Sequence, residues 1–122
     1  MTKKILIVDD DAALAEELAE ILRDEGYSVE NISDALEAEK LINQNTYDLY
    51  LLDYKMSGLS GVDLLKRIKG KKFTSNVFII SGRPSIDKLL KEENVQHLIS
   101  AVIKKPFDVK ELLQKIQAFL ER

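Results

Sequence analysis

At 122 residues the chain has the length of one domain with a single substantial core and is too short for two ordinary ones. Its 45% hydrophobic and 32% charged residues suit a globular fold in water, and a net charge of −3 argues against a nucleic-acid-binding surface. The absence of cysteine excludes disulfide frameworks, thiolate nucleophiles and Cys-ligated zinc. No apolar run approaches the roughly 20 residues of a membrane span. The opening stretch, Met1 to Asp11, lacks the long apolar core of a signal peptide, so a cytoplasmic protein without membrane insertion is expected.

Taken in order, Ile5 to Val8 is a short apolar run ended by Asp9, Asp10 and Asp11, the pattern of a buried strand that stops at carboxylates. Leu14, Leu18, Ile21 and Leu22 then form one helical stripe from Ala12 to Glu25, and Gly26 supplies the stop. Ser28 to Ile32 reads as a second strand. Asp34 with Glu37 three residues on is a capping-box signature for a helix carrying Ala38, Leu41 and Ile42, closed by Asn43 to Asn45. A third strand, Leu49 to Leu52, stops abruptly at Asp53, and a loop containing Ser57, Gly58 and Ser60 follows.

Ser60 and Asp63 can cap a helix with Val62, Leu65 and Ile68, which is expected to run into a basic surface loop, Lys69 to Lys72. Val77 to Ile80 is a fourth strand ending at Ser81-Gly82-Arg83-Pro84, and a helix with Ile86, Leu89 and Leu90 starts near Ser85. Asn94 to Ser100 shows no clear period. A fifth strand is expected at about Ala101 to Lys104, ended by Pro106, after which Asp108 and Glu111 cap a helix with Val109, Leu112, Leu113, Ile116, Phe119 and Leu120. Five strand-helix units without a repeat or linker predict a single domain over residues 1–122. Its fold class is α/β, a doubly wound five-stranded parallel sheet with right-handed crossovers.

In such sheets ligands bind outside the carboxyl ends of the strands. Those ends carry Asp9-Asp10, Asp53, Ser81 and Lys104-Lys105, which the topology brings to one edge. Three carboxylates in close quarters repel one another and call for a compensating cation, and all-oxygen ligands suit a hard ion such as Mg²⁺. With that charge screened, one carboxylate can attack a phosphoryl group and form an acyl phosphate. Taken singly, Asp9 to Asp11 could merely cap the first helix, and Ser81-Gly82 and Lys105-Pro106 could be ordinary turns. It is their joint order at the strand ends that carries the reading. His97 reads as a surface or interface residue, and Met56 as a packing residue.

In these blocks the chain resembles the receiver domains of bacterial two-component response regulators along essentially its whole length. The resemblance implies a flavodoxin-like (βα)5 fold with strand order 2-1-3-4-5. It implies phosphoryl transfer from a sensor histidine kinase or phosphotransfer protein onto Asp53, with no separate substrate turnover. It further implies Mg²⁺, with Mn²⁺ as an alternative ion, held by Asp10, Asp53 and the Lys55 carbonyl, with Asp9 acting through water. Ser81 and Gly82 would form the phosphoryl-binding switch, together with Lys105 of the Lys105-Pro106-Phe107 run. Lys55 and Arg83 would set the lifetime of the phosphate. Because adjacent strand residues point to opposite faces, Lys105 is expected to reach the phosphoryl group and Lys104 to face away, and the Lys105-Pro106 bond is a candidate cis peptide.

Three positions depart from the family pattern: Ser57 stands where proline is usual, Leu98-Ile99 replaces a glycine-alanine pair, and Val102 replaces the aromatic three residues before the lysine. Val102 has no large ring to swing, so coupling through helix displacement is expected, with dimerisation on phosphorylation as one form of it. Output is expected on the face formed by the fourth helix, fifth strand and fifth helix, toward an unknown downstream protein. The rival readings are a passive phosphate relay or sink, an aspartyl-nucleophile phosphohydrolase, a flavodoxin-like nucleotide binder and a degenerate receiver. Such a hydrolase would need a second aspartate where Lys55 stands, and a cap. A nucleotide binder would need a glycine-rich loop where Asp9 to Asp11 would repel phosphate. The intact acidic set argues against degeneracy.

Overall fold

The computed structural model describes residues 2–56, 58–71 and 74–121. Met1, Ser57 and Lys72, which figure in the sequence reading, lie outside the described residues. Among the described residues strands and α-helices alternate: β1 (Lys4–Val8), α1 (Ala12–Asp24), β2 (Ser28–Ile32), α2 (Ala35–Gln44), β3 (Leu49–Asp53) and α3 (Gly61–Lys71) come first. They are followed by β4 (Asn76–Ser81), α4 (Ile86–Glu92), a 3-10 turn (Gln96–Leu98), β5 (Ala101–Lys104) and α5 (Val109–Leu120). The strands form one parallel sheet in the order β2-β1-β3-β4-β5, as expected. β3 is therefore the central strand.

The period-2 alternation of the strands divides the core into two layers. Ile5, Ile7, Leu49, Leu51, Phe78, Ile80 and Ile103 face one side, where Leu18 and Leu22 of α1 and Leu112 and Ile116 of α5 cover them. Leu6, Val8, Tyr50, Leu52, Val77 and Ile79 face the other, under α2, α3 and α4. Both faces of the sheet are buried, which is why the strands read as continuous apolar runs.

Helix starts follow their sequence signals. Asp11 accepts from the Leu14 amide at 3.1 Å and so caps α1. Asp108 accepts from Lys110 and Glu111 to cap α5. Ser60 and Asp63 form a reciprocal capping box, each side chain accepting from the other's backbone amide. At α2 the Asp34 carboxylate accepts instead from Leu36, two residues on. Gly26 ends α1 at φ +96°, a left-handed conformation that glycine adopts without a Cβ clash.

One expectation is corrected. Lys69, Gly70 and Lys71 are helical, so α3 continues through the stretch read as a surface loop. The Lys71 ammonium donates to the carbonyl oxygens of Ile42, Asn43 and Asn45, where α2 ends, and Lys69 donates to the Ser75 carbonyl. The Lys71 bonds satisfy carbonyls that the end of α2 leaves unpaired and hold the last turn of α3 in place despite Gly70.

Candidate functional site

Register brings the acidic residues together. Val8 pairs with Leu52 and Asp53 with Ile80, so Asp9 leaves β1 beside the end of β3. Asp9, Asp53 and Lys105 continue the odd-numbered positions that face α1 and α5. Ser81 pairs with Lys104, and the Lys105 amide donates to the Ser81 carbonyl at 2.8 Å, extending the ladder one residue past β5. The Lys105-Pro106 peptide is cis, as the sequence suggested.

Asp9 is 4% exposed and firmly oriented. Its Oδ1 accepts from the Asp11 amide at 2.9 Å and its Oδ2 from the Lys105 ammonium at 3.1 Å. The same ammonium reaches Asp53 Oδ1 at 3.5 Å. Lys105 thus bridges the two carboxylates, whereas Lys104 points to the opposite face and pairs with Asp87 of α4 at 3.1 Å. Burial pushes the Asp53 carboxyl up to about 6, and the charge of Asp9 adds to the rise. Lys105 pulls in the other direction and Asp10 contributes a further rise. For Lys105, burial disfavours the charged form, but the hydrogen bond to Asp9 and the Asp53 charge outweigh it and the net direction is upward.

Ser81 is 3% exposed, and its hydroxyl oxygen accepts from the Arg83 amide at 3.0 Å. Gly82 and Arg83 are exposed beyond it, as are Asp10 and Lys55. Val102 is half-buried on the α2, α3 and α4 side. Met56 is buried, in keeping with a packing role, and His97 is exposed on the 3-10 turn. Leu98 and Ile99, which occupy the departing glycine-alanine positions, pack against the same core layer as Val102.

Two residues beside the site have contacts that their sequence positions did not suggest. Gly61 opens α3 so close to β3 that a Cβ there would lie 2.5 Å from the Asp53 carbonyl oxygen. Tyr54, directly after Asp53, carries the Arg83 guanidinium 6.0 Å from its ring centre. Its hydroxyl donates to Glu93 at 3.3 Å. The sequence signal for both was position alone, a glycine at a helix start and an aromatic next to a strand-end aspartate.

The donor set fits a hard divalent cation. All the available donors are oxygens, and the one Lys105 ammonium is shared by the Asp9 and Asp53 carboxylates, which leaves net negative charge for a cation to offset. Among the described residues no three His, Cys, Asp or Glu side chains form a metal cluster. The expected set differs from such a cluster in combining two direct carboxylates with a backbone carbonyl.

A flavodoxin-like sheet whose carboxyl edge brings Asp9 and Asp53 onto one bridging lysine, with Asp10 exposed next in the chain, defines a doubly wound α/β domain with an acidic site. The response regulator receiver domain profile matches residues 5–117, and the chain belongs to that family of two-component signalling domains. It is 34% identical over its full length to the DNA-binding response regulator MtrA of Mycobacterium tuberculosis strain H37Rv, of which it covers 52%. The chain therefore spans about half the length of such relatives. Over 120 residues it is 31% identical to sporulation initiation phosphotransferase F of Bacillus subtilis, covering 98% of this chain and 95% of that protein.

Among solved structures, the CheY-like receiver domain protein of Methanospirillum hungatei matches with a TM-score of 0.89 at 31% identity, over 99% of this chain and 95% of that one. Response regulator TrrA of Thermotoga maritima, in complex with Mg²⁺-BeF, matches with a TM-score of 0.84 at 28% identity, over 98% and 100%. Magnesium binding and phosphoaspartate are typical of the family, whose members are signalling domains and not classical enzymes. Among the described residues no helix is long and apolar enough to cross a membrane.

Proposed function

We propose that this domain is a phosphoryl-accepting switch. Asp53 takes a phosphoryl group from a sensor histidine kinase or phosphotransfer protein, and the phosphorylated domain changes its protein partners. The observation that carries the reading is the Lys105 ammonium held between Asp9 and Asp53 at the end of the central strand. In the transfer, the P–N bond to the donor imidazole breaks as a P–O bond to the Asp53 carboxylate forms. Positioning and charge neutralisation are most of what this chemistry requires.

Asp9 keeps the Lys105 ammonium at the site, where it can follow the developing charge from Asp53 onto a phosphoryl oxygen. The Ser81 hydroxyl and the backbone at Gly82 line the side from which a phosphoryl oxygen is received. Asp10, Asp53 and the Lys55 carbonyl would hold Mg²⁺ or Mn²⁺, with Asp9 through water, and the ion supplies charge neutralisation to the transferred group. Lys55 and Arg83, exposed on either side, control water access and so set the lifetime of the acyl phosphate. The signal leaves through α4, β5 and α5 toward a downstream protein or a second copy of the domain.

Incubation with Mg²⁺ and a small phosphodonor should add one phosphoryl group that is labile to base and hydroxylamine. Intact-mass measurement finding the same adduct on Asp53→Asn overturns the assignment. A second reading, a passive phosphate relay, is favoured by Val102, which offers no aromatic ring to signal the state of the site. It is supported if the phosphorylated domain returns its phosphoryl group to a histidine phosphotransfer protein without any change in α4, β5 or α5.

A further inference from the structure

With Val102 unable to serve as a moving ring, the question is which contact ties the Asp53 loop to α4. Tyr54 is held at both backbone groups: its amide donates to the Ile80 carbonyl at 2.9 Å and its carbonyl accepts from the Gly61 amide at 3.1 Å. Its ring packs against the core layer under α2, α3 and α4. From this fixed base the side chain makes two contacts, the Arg83 guanidinium over its face and the Glu93 carboxylate at its hydroxyl. Glu93 is the C-cap of α4, and Arg83 is bonded through its own amide to Ser81. One side chain therefore touches both the residue beyond the switch serine and the far end of the helix that follows it.

We propose that Tyr54 is the positioning residue that couples the site to α4, by seating Arg83 on its ring while its hydroxyl holds the last turn of the helix. The inference rests on the reading of Asp53 as phosphoacceptor. Relative strengths give the seat a direction. An exposed cation-π contact is weaker than a charge-assisted hydrogen bond to a phosphoryl oxygen. A phosphoryl group on Asp53 adds negative charge and acceptor oxygens next to Tyr54, so Arg83 leaves the ring for the phosphoryl group. Rotation of the Ser81 hydroxyl toward the same group frees the Arg83 amide and lets the loop follow.

The consequence falls on α4. Glu92 and Glu93 lie at its C-terminal end, where the helix dipole disfavours negative charge, and the Arg83 guanidinium over the Tyr54 ring is a cation on the same side chain that donates to Glu93. Departure of Arg83 removes a cation from this acidic group and weakens the Tyr54 to Glu93 contact. The last turn of α4 then loosens, on the side of the molecule from which output is proposed to leave.

The test is amide hydrogen exchange over residues 86–95, with and without Mg²⁺ and beryllofluoride, in the wild type, Tyr54→Phe, Tyr54→Leu and the exposed Glu93→Ala. In the wild type the phosphoryl mimic should speed exchange in the last turn of α4 by roughly fivefold, the equivalent of one lost hydrogen bond. Tyr54→Phe and Glu93→Ala should exchange at that faster rate without the mimic and respond to it by less than about twofold. Tyr54→Leu should also fail to respond. A full response in Glu93→Ala and Tyr54→Phe overturns the inference while leaving the receiver reading intact. A wild type that takes up neither phosphoryl group nor mimic overturns both.

Discussion

Lys104 and Lys105 are the same residue type in adjacent positions with opposite surroundings, and their difference measures what the site needs. Lys104 pairs with Asp87 where both side chains are more than half exposed, so Lys104→Ala should change stability by less than about 1 kcal/mol. Lys105 holds the buried Asp9 and the half-buried Asp53. Its removal leaves carboxylates without their ammonium, and Lys105→Ala should destabilise the domain by about 2 kcal/mol, discounted from the buried-pair range because the lysine is partly exposed. Urea denaturation in a chelator checks both, and equal losses would mean that Lys105 is not the bridge. Glycines divide in the same way. A Cβ on Gly61 meets the Asp53 backbone, whereas one on Gly82 comes no closer than 3.7 Å to the Lys105 side chain. Gly61→Ala should cost about 1–3 kcal/mol and slow phosphorylation by displacing Asp53. Gly82→Ala should cost far less, and thermal melts alongside phosphodonor kinetics separate the two.

The elements were legible wherever a local signal existed. Strands ending in carboxylates, helices opened by Asp11, Asp108 and the Ser60-Asp63 box, and the glycine stop at Gly26 all stand where pattern and capping chemistry put them. The alternation of strand faces also separated Lys104 from Lys105, since their side-chain directions follow from a period of two. What could not be read locally was decided by partners distant in the chain. The end of α3 is the clearest case: Lys69 to Lys71 with a glycine in the middle has the composition of a loop, yet Lys71 is drawn into helix by three carbonyls at the end of α2. Lys71→Ala should therefore destabilise by about 1–2 kcal/mol, well above the effect of an ordinary exposed lysine. Gly70 is a different matter, because a Cβ added there would meet only open space. Gly70→Ala should stabilise by about 0.5–1 kcal/mol, and urea titration of the two variants should move in opposite directions. Tyr54 and Gly61 were illegible for the same reason, because their contacts with Glu93, Arg83 and the Asp53 backbone join segments apart in sequence.

At the scale of the whole molecule, the acidic edge costs folding stability that a cation held there, as proposed, would return. Burial and the charge of Asp9 push the Asp53 carboxyl up to about 6, so at neutral pH its ionised form would be more comfortable in water than in the fold. Asp53→Asn keeps the shape and removes that charge, and in chelator it should be more stable than the wild type by about 1–2 kcal/mol. A ligand that binds only the folded state reverses the order. At a Mg²⁺ concentration about 100 times the dissociation constant the wild type should gain about 2.7 kcal/mol, whereas Asp53→Asn, lacking one of the proposed ligands, should gain much less. Melting curves recorded across a Mg²⁺ titration should therefore cross, with the variant higher in chelator and the wild type higher at saturation. Parallel curves would show that Asp53 does not take part in holding the ion. A wild type already higher in chelator would show that Lys105 compensates the carboxylate fully.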